Sequence, residues 1–144
     1  HVAGCVLRYP GPARSLRHAM EVRNASFVTP AFIALLRKTG IAWVVADTAG
    51  RWPEFVDVSA DFVYVRLHGA TALYNSRYSD DELTRWAARI AAWRDGIAVV
   101  DGPRVARPAA KSRSGRDVFC YFDNTDKVHA PENARRLLAV LGID

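Results

Sequence analysis

The sequence predicts an α/β domain with about four parallel strands and flanking helices. Three observations predict it. Strand-like and helix-like segments follow one another in the order β-α-β-β-α-β-α. The strand candidates are short apolar runs, as in sheets buried on both faces. Polar residues recur at their carboxyl ends: Arg23, Asp47, His68, and Asp123 with Asn124. In parallel α/β folds that edge is where sites are built.

Residues 1–12 form a poorly defined amino-terminal segment. Val2 to Leu7 reads as a short strand or a frayed end, and Pro10-Gly11-Pro12 breaks the chain. The domain proper runs over residues 13–144. Leu16 to Arg23 is compatible with helix or strand. A short strand at Ala19–Arg23 is favoured because a better helix starts just beyond it. Ser26 or Thr29 can cap that helix, Pro30 suits its first turn and Gly40 stops it. Phe32, Leu35 and Leu36 supply its apolar stripe.

Ile41 to Ala46 is a near-continuous apolar run, read as a buried parallel strand, and Asp47-Thr48-Ala49-Gly50 ends it. Trp52-Pro53 sits in a connection too short for a full helix. Asp61 to Gly69 holds the central strand, Val63 to Leu67, and ends in Arg66, His68 and Gly69. A long loop with Tyr74, Arg77 and Tyr78 follows. Ser79 and Glu82 form a capping box for a helix from Asp80 to about Arg94. Leu83, Trp86, Ile90 and Trp93 are its buried stripe, and Gly96 terminates it. Residues 97–116 read as a basic, mobile loop. Val118 to Phe122 returns as a strand. Pro131 marks the first turn of a last helix, with Ala134, Leu137, Leu138 and Leu141 on its apolar face.

The chain of 144 residues is half hydrophobic, enough for one domain with a core. Its net charge of +5 is concentrated: residues 101–116 carry five basic side chains against Asp101 alone. A nucleic-acid partner inferred from the charge would therefore rest on one loop. Cys5 and Cys120 make no disulfide framework or metal motif, and a reducing cytoplasm fits. No window is apolar enough to span a membrane, and no signal-peptide pattern is present. The chain begins at His1 and its one methionine, Met20, lies in a structured stretch, which hints at a part of something larger.

Period-2 parity groups the candidate site residues. Glu21 and Arg23 share one strand face; Trp43, Val45 and Asp47 the next; Tyr64, Arg66 and His68 the third; Phe119, Tyr121 and Asp123 the fourth. If these faces converge, two arginines, a histidine and three carboxylates meet near one rim. Charged groups placed so far inside must pair or hold a ligand. His68, Asp47, Asp123 and Glu21 are the candidate catalytic residues, with His68 as proton shuttle. Arg23 and Arg66 suit a grip on a carboxylate or phosphate. Tyr74, Tyr78 and Asn124 are further candidates around the ligand; Tyr74 and Tyr78 equally suit covering their loop, and Asn124 and Asn133 better suit ties between loop and helix backbone. The carboxylates with His68 are metal-type ligands, but no ligand spacing supports a metal, and no cofactor motif is present.

Several stretches resemble the DUF72 family, the YecE-like proteins. They are Arg17 to Phe27, Val45-Ala46-Asp47-Thr48, Phe62 to Gly69, the Leu83–Trp86 helix ending Trp93-Arg94-Asp95-Gly96, Asp117 to Asn124, and Ala130 to Leu138. Tyr74 and Tyr78 fall between them. The resemblance covers roughly residues 13–143 and implies the carboxyl-terminal half of a TIM barrel. It implies a set of site residues but no reaction. A half barrel exposes strand edges and apolar faces, so a homodimer or a missing amino-terminal half-barrel is expected. Three functions stay open: an enzyme or enzyme fragment on a small phosphorylated, carboxylated or sugar ligand; a nucleic-acid binding or processing protein; and a structural remnant of a full barrel.

Overall fold

The computed structural model describes residues 15–69, 71, 76–124 and 129–143. Among the described residues, four strands form one parallel sheet in sequential order: β1 (Ala19–Met20), β2 (Ala42–Asp47), β3 (Phe62–Leu67) and β4 (Asp117–Phe122). Three helices flank it: α1 (Pro30–Thr39), α2 (Asp80–Arg94) and α3 (His129–Leu141). This is a partial TIM barrel. No helix among the described residues is long and apolar enough to cross a membrane.

The helix boundaries follow the local chemistry. The Thr29 side chain accepts from Phe32 N–H, Pro30 opens α1, and Gly40 closes it in the left-handed region at φ 68°. Ser79 and Glu82 form the reciprocal capping box of α2. α3 begins at His129, two residues ahead of Pro131. The first strand is shorter than expected: ladder pairing stops at Met20. The Asn24 side chain accepts from Ser26 N–H and starts a 3-10 turn over Ala25–Phe27, which bends the chain off the sheet.

One sheet face is sealed by the helices. Trp43 and Val45 of β2 and Val63, Val65 and Leu67 of β3 are buried there with Ile33, Leu36, Leu83, Trp86, Ile90, Trp93 and Leu137. Fully burying one such side chain contributes about 1.5–3 kcal/mol. Cys120 also lies toward this layer, and burial pushes its thiol up to about 12. The other face is concave and partly bare: Phe119 is 39% and Tyr121 50% exposed. An Arg17–Asp117 ion pair of 2.5 Å reaches from the start of β1 to the start of β4, across the hollow.

The segment 97–116, expected to be mobile, carries no helix or strand but is held at several points. The Asp57 carboxylate accepts from Val105 N–H at 2.8 Å and from Ala106 N–H at 3.0 Å. Arg37 donates to the Arg107 carbonyl at 2.8 Å, and Ser112 N–H to the Gly96 carbonyl at 3.0 Å. Arg116 is buried and donates to the Ala110 carbonyl at 2.8 Å.

Candidate functional site

Strand register sets which side chains meet. Tyr64 stands opposite Val44 on β2 and Phe119 on β4; Arg66 stands opposite Ala46 and Tyr121. The ladder continues past the strand ends. His68 N–H donates to the Asp47 carbonyl at 2.9 Å, and Asp123 N–H to the Leu67 carbonyl at 2.8 Å. His68 and Asp123 are therefore fixed by backbone bonds at the carboxyl rim, on the same face as Arg66.

Four of the expected residues come together there. Arg66 Nη1 donates to Glu21 Oε2 at 2.6 Å, and its Nη2 to Asp123 Oδ2. His68 lies between the same two carboxylates: Nε2 is 3.5 Å from Glu21 Oε2, and Nδ1 is 3.4 Å from Asp123 Oδ2. Glu21 also accepts from Arg23 Nε, at 3.1 Å on Oε1. Burial alone would raise the Glu21 carboxyl, but hydrogen bonds from Arg66 and Arg23 and the Arg66 charge outweigh it and hold it below its ordinary value. Burial would lower the Arg66 guanidinium, but Glu21 and Asp123 outweigh it and raise it. For His68 burial wins. Its pKa falls below the usual 6.5, although Glu21 and Asp123 oppose the shift.

Asp47 does not join this group. It stands opposite Leu67, so its side chain belongs to the helix-side face, and the assumed parity of β2 is corrected. Val44 and Ala46 are the residues beside Tyr64 and Arg66. Burial and then the Glu54 charge raise the Asp47 carboxyl, while hydrogen bonding from Tyr78 and Trp86 opposes them. The expected set of Glu21, Asp47, Asp123 and His68 is thus divided between the two faces.

Two further expectations are corrected. Tyr78 is 1% exposed and packs inside. Its hydroxyl accepts from Gly69 N–H at 3.0 Å, and burial raises its pKa. Asn124 is fully buried and donates to the Ser76 carbonyl and to Asn133 Oδ1, each at 3.0 Å. Asn133 in turn receives Tyr78 N–H and donates to the Tyr78 carbonyl, each at 3.2 Å. Backbone groups left without water need such partners, so these side chains tie strand, loop and helix together. They are not placed to meet a ligand. Tyr74 lies outside the described residues.

Arg23 is half exposed, and its guanidinium sits 4.5 Å over the Trp52 ring. The same indole meets His68 edge-on, with ring centroids 5.4 Å apart. Trp52 was not singled out as a site residue. An aromatic in a short connection directly after a strand's polar carboxyl end was the available signal. Its loop is rigidly built. Glu54 Oε1 accepts from Thr48 N–H at 2.6 Å, Thr48 hydroxyl at 2.7 Å and Gly50 N–H at 3.0 Å. This clamp holds the left-handed backbone at Ala49, φ 52°.

Below the charged group lies an aromatic floor. Tyr64 stacks on Tyr121 at 5.1 Å and 21°, and Phe119 meets Phe62 edge-on at 5.9 Å. These rings, with Arg17, Glu21, Arg66 and Asp123, line a cavity of about 610 Å³ on the concave face. The basic loop presents less charge than its composition implies. Arg107, Lys111 and Arg113 are exposed, while Arg104 is half-buried and Arg116 buried.

A family model described as "Protein of unknown function DUF72" matches residues 6–144. No curated protein matches significantly. Among solved structures, a DUF72 family protein from Enterococcus faecalis V583 superposes with a TM-score of 0.68 at 20% identity. The match covers 91% of this chain and 49% of that one. A DUF72 family protein from Thermotoga maritima MSB8 gives 0.68 at 23% identity, covering 88% and 46%. A second Enterococcus faecalis structure gives 0.66 at 20%, covering 91% and 51%. The likeness is one of fold, and the chain spans about half the length of these proteins.

Proposed function

Because this chain belongs to the DUF72 family, we propose, as our own reading, that it binds a small molecule on the concave face at the carboxyl ends of its strands. One observation carries the reading. Glu21, Arg66 and Asp123 meet as an ion-paired group lining a cavity floored by stacked tyrosines, with buried His68 between the two carboxylates behind them.

The charge balance supports a neutral, hydroxyl-rich ligand such as a sugar over a free phosphate or carboxylate. Arg66 and Arg23 both already face carboxylates, and with His68 neutral the formal charges of the group cancel. An incoming anion would have to compete with Glu21 and Asp123. A hydroxyl can donate to a carboxylate without breaking the pairs. The Tyr64–Tyr121 surface offers a flat apolar bed for a ring's C–H face. His68, buried behind the two carboxylates, would act on a proton at the ligand only through Glu21 or Asp123.

Ligand-observed NMR with a panel of monosaccharides and inorganic phosphate tests this. A monosaccharide should bind, about tenfold more weakly in Glu21→Gln and Tyr64→Leu, with the unfolding midpoint little changed in Tyr64→Leu and lowered in Glu21→Gln, which loses its ion pairs. Phosphate binding more tightly than every sugar would overturn the neutral-ligand reading. No binding, with stability lost in Glu21→Gln, would leave a purely structural salt-bridged plug.

A further inference from the structure

We infer that the charge on His68 selects the ligand of the concave site: with the imidazole neutral the site holds a neutral sugar, and with the imidazole protonated it favours a sugar that carries a carboxylate. This selection rests on the ligand reading above and adds the condition under which the preference changes.

Two donors face the same two oxygens. Arg66 donates to Glu21 Oε2 and to Asp123 Oδ2. The imidazole nitrogens of His68 lie 3.5 and 3.4 Å from those same atoms. A neutral imidazole carries a single N–H and can donate to only one of these carboxylates. A protonated imidazole carries two and can serve both. It then takes over part of what Arg66 does, and the guanidinium has charge to offer the cavity that it lines.

The charge balance points the same way. Around His68 stand Glu21 from beyond β1, Asp123 from the end of β4 and Arg66 on its own strand. From the connection between β2 and β3 the Trp52 indole packs on it, with Arg23 over the same ring. Glu21 and Asp123 balance Arg66 and Arg23, so a proton on His68 leaves one positive charge in excess. Burial, more than anything else, delays that proton to below the usual 6.5. Glu21 is held below its ordinary value, which keeps its own charge in place as the pH falls.

A ligand does not touch His68, which is fully buried. It meets the added charge through Arg66. Arg17, the other arginine lining the cavity, is already paired with Asp117. A carboxylate on Arg66 suits a ring lying on the Tyr64–Tyr121 surface, because both belong to the same cavity.

Glucose with glucuronate, and galactose with galacturonate, test this. Each pair shares a ring and differs in one carbon, a hydroxymethyl group in one and a carboxylate in the other. The ratio of affinities within a pair therefore isolates the charge. Ligand-observed NMR gives that ratio from pH 8 to about pH 4.5, and the imidazole resonances report the charge on His68. The ratio should move about tenfold toward the acidic sugar as His68 titrates, and stay flat in His68→Gln. By reciprocity, the acidic sugar should raise the His68 titration midpoint in the unsubstituted chain, and the neutral sugar should leave it in place. A ratio indifferent to His68 titration, with the neutral sugar bound, would overturn the selection alone and leave the ligand reading standing. So would a ratio that moves equally in His68→Gln, or an imidazole that stays neutral throughout. Neither pair binding at any pH would overturn the selection, while the wider monosaccharide panel decides the ligand reading separately.

Discussion

Arg66 and Glu21 are joined by a hydrogen-bonded ion pair of 2.6 Å, which ties the stretch just after β1 to β3 across the concave face. Arg66 makes a second pair with Asp123, and His68 adds no positive charge when neutral. Arg66→Ala should therefore leave two carboxylates facing each other around a buried imidazole. The groups are only partly buried, so the loss is set below that of a fully enclosed pair, at about 2 kcal/mol. Urea unfolding at neutral pH measures it. A loss under about 0.5 kcal/mol would mean that the pairs contribute no more than exposed ones.

Stability should depend on pH in two windows. Burial, the largest influence, depresses the His68 pKa in the folded state, so the unfolded chain binds more protons as pH falls below about 6.5. Stability is then lost from that point downward, through the folded value. Glu21 is also depressed: its contribution is present above the unfolded value near 4.3 and is lost as pH falls through the folded one. Unfolding midpoints in urea from pH 8 to pH 3 should decline in both windows, and His68→Gln should flatten the upper one. An upper window unchanged in His68→Gln would assign that proton uptake elsewhere.

The Asp57 carboxylate should govern access to the basic segment. It takes two backbone N–H groups just after Arg104, while Val56 N–H donates to the Pro103 carbonyl at 3.0 Å. A protease must straighten its substrate, which these bonds resist. Trypsin should cut slowly after Arg104 and buried Arg116, and first at exposed Arg113 within this segment. Asp57→Ala should speed cutting after Arg104 and lower stability by about 1–3 kcal/mol. Early cleavage after Arg104 in the unsubstituted chain would show that the bonds do not restrain the segment.

Much of the architecture was legible because its signals are local. Thr29 with Pro30, Gly40, and the Ser79–Glu82 box each act within one helical turn, and each lies where expected. The rim face of β3 and β4 was legible for a different reason. Aliphatic Val63, Val65 and Leu67 alternate with Tyr64, Arg66 and His68, so parity can be read. In β2 it cannot. Ala42 to Ala46 are all buried, and a strand covered on both faces carries no alternation to say which way Asp47 points. Tyr78 was harder to place because the Asn133 amide that receives its N–H lies more than fifty positions away, whereas the tie between Asn124 and Asn133, nine positions apart, was legible. The ring of Trp52 reaches Arg23 and His68 only through the folded geometry.

The bond from His68 N–H to the Asp47 carbonyl has a consequence for how such a chain can change over time. Asp47 serves the rim with its main chain and the helix layer with its side chain. Any residue other than proline offers the same backbone, and even proline keeps the carbonyl. Position 47 can therefore drift with the helices that pack over it, while the imidazole on the neighbouring strand keeps its anchor. The two sides of the sheet are free to diversify independently.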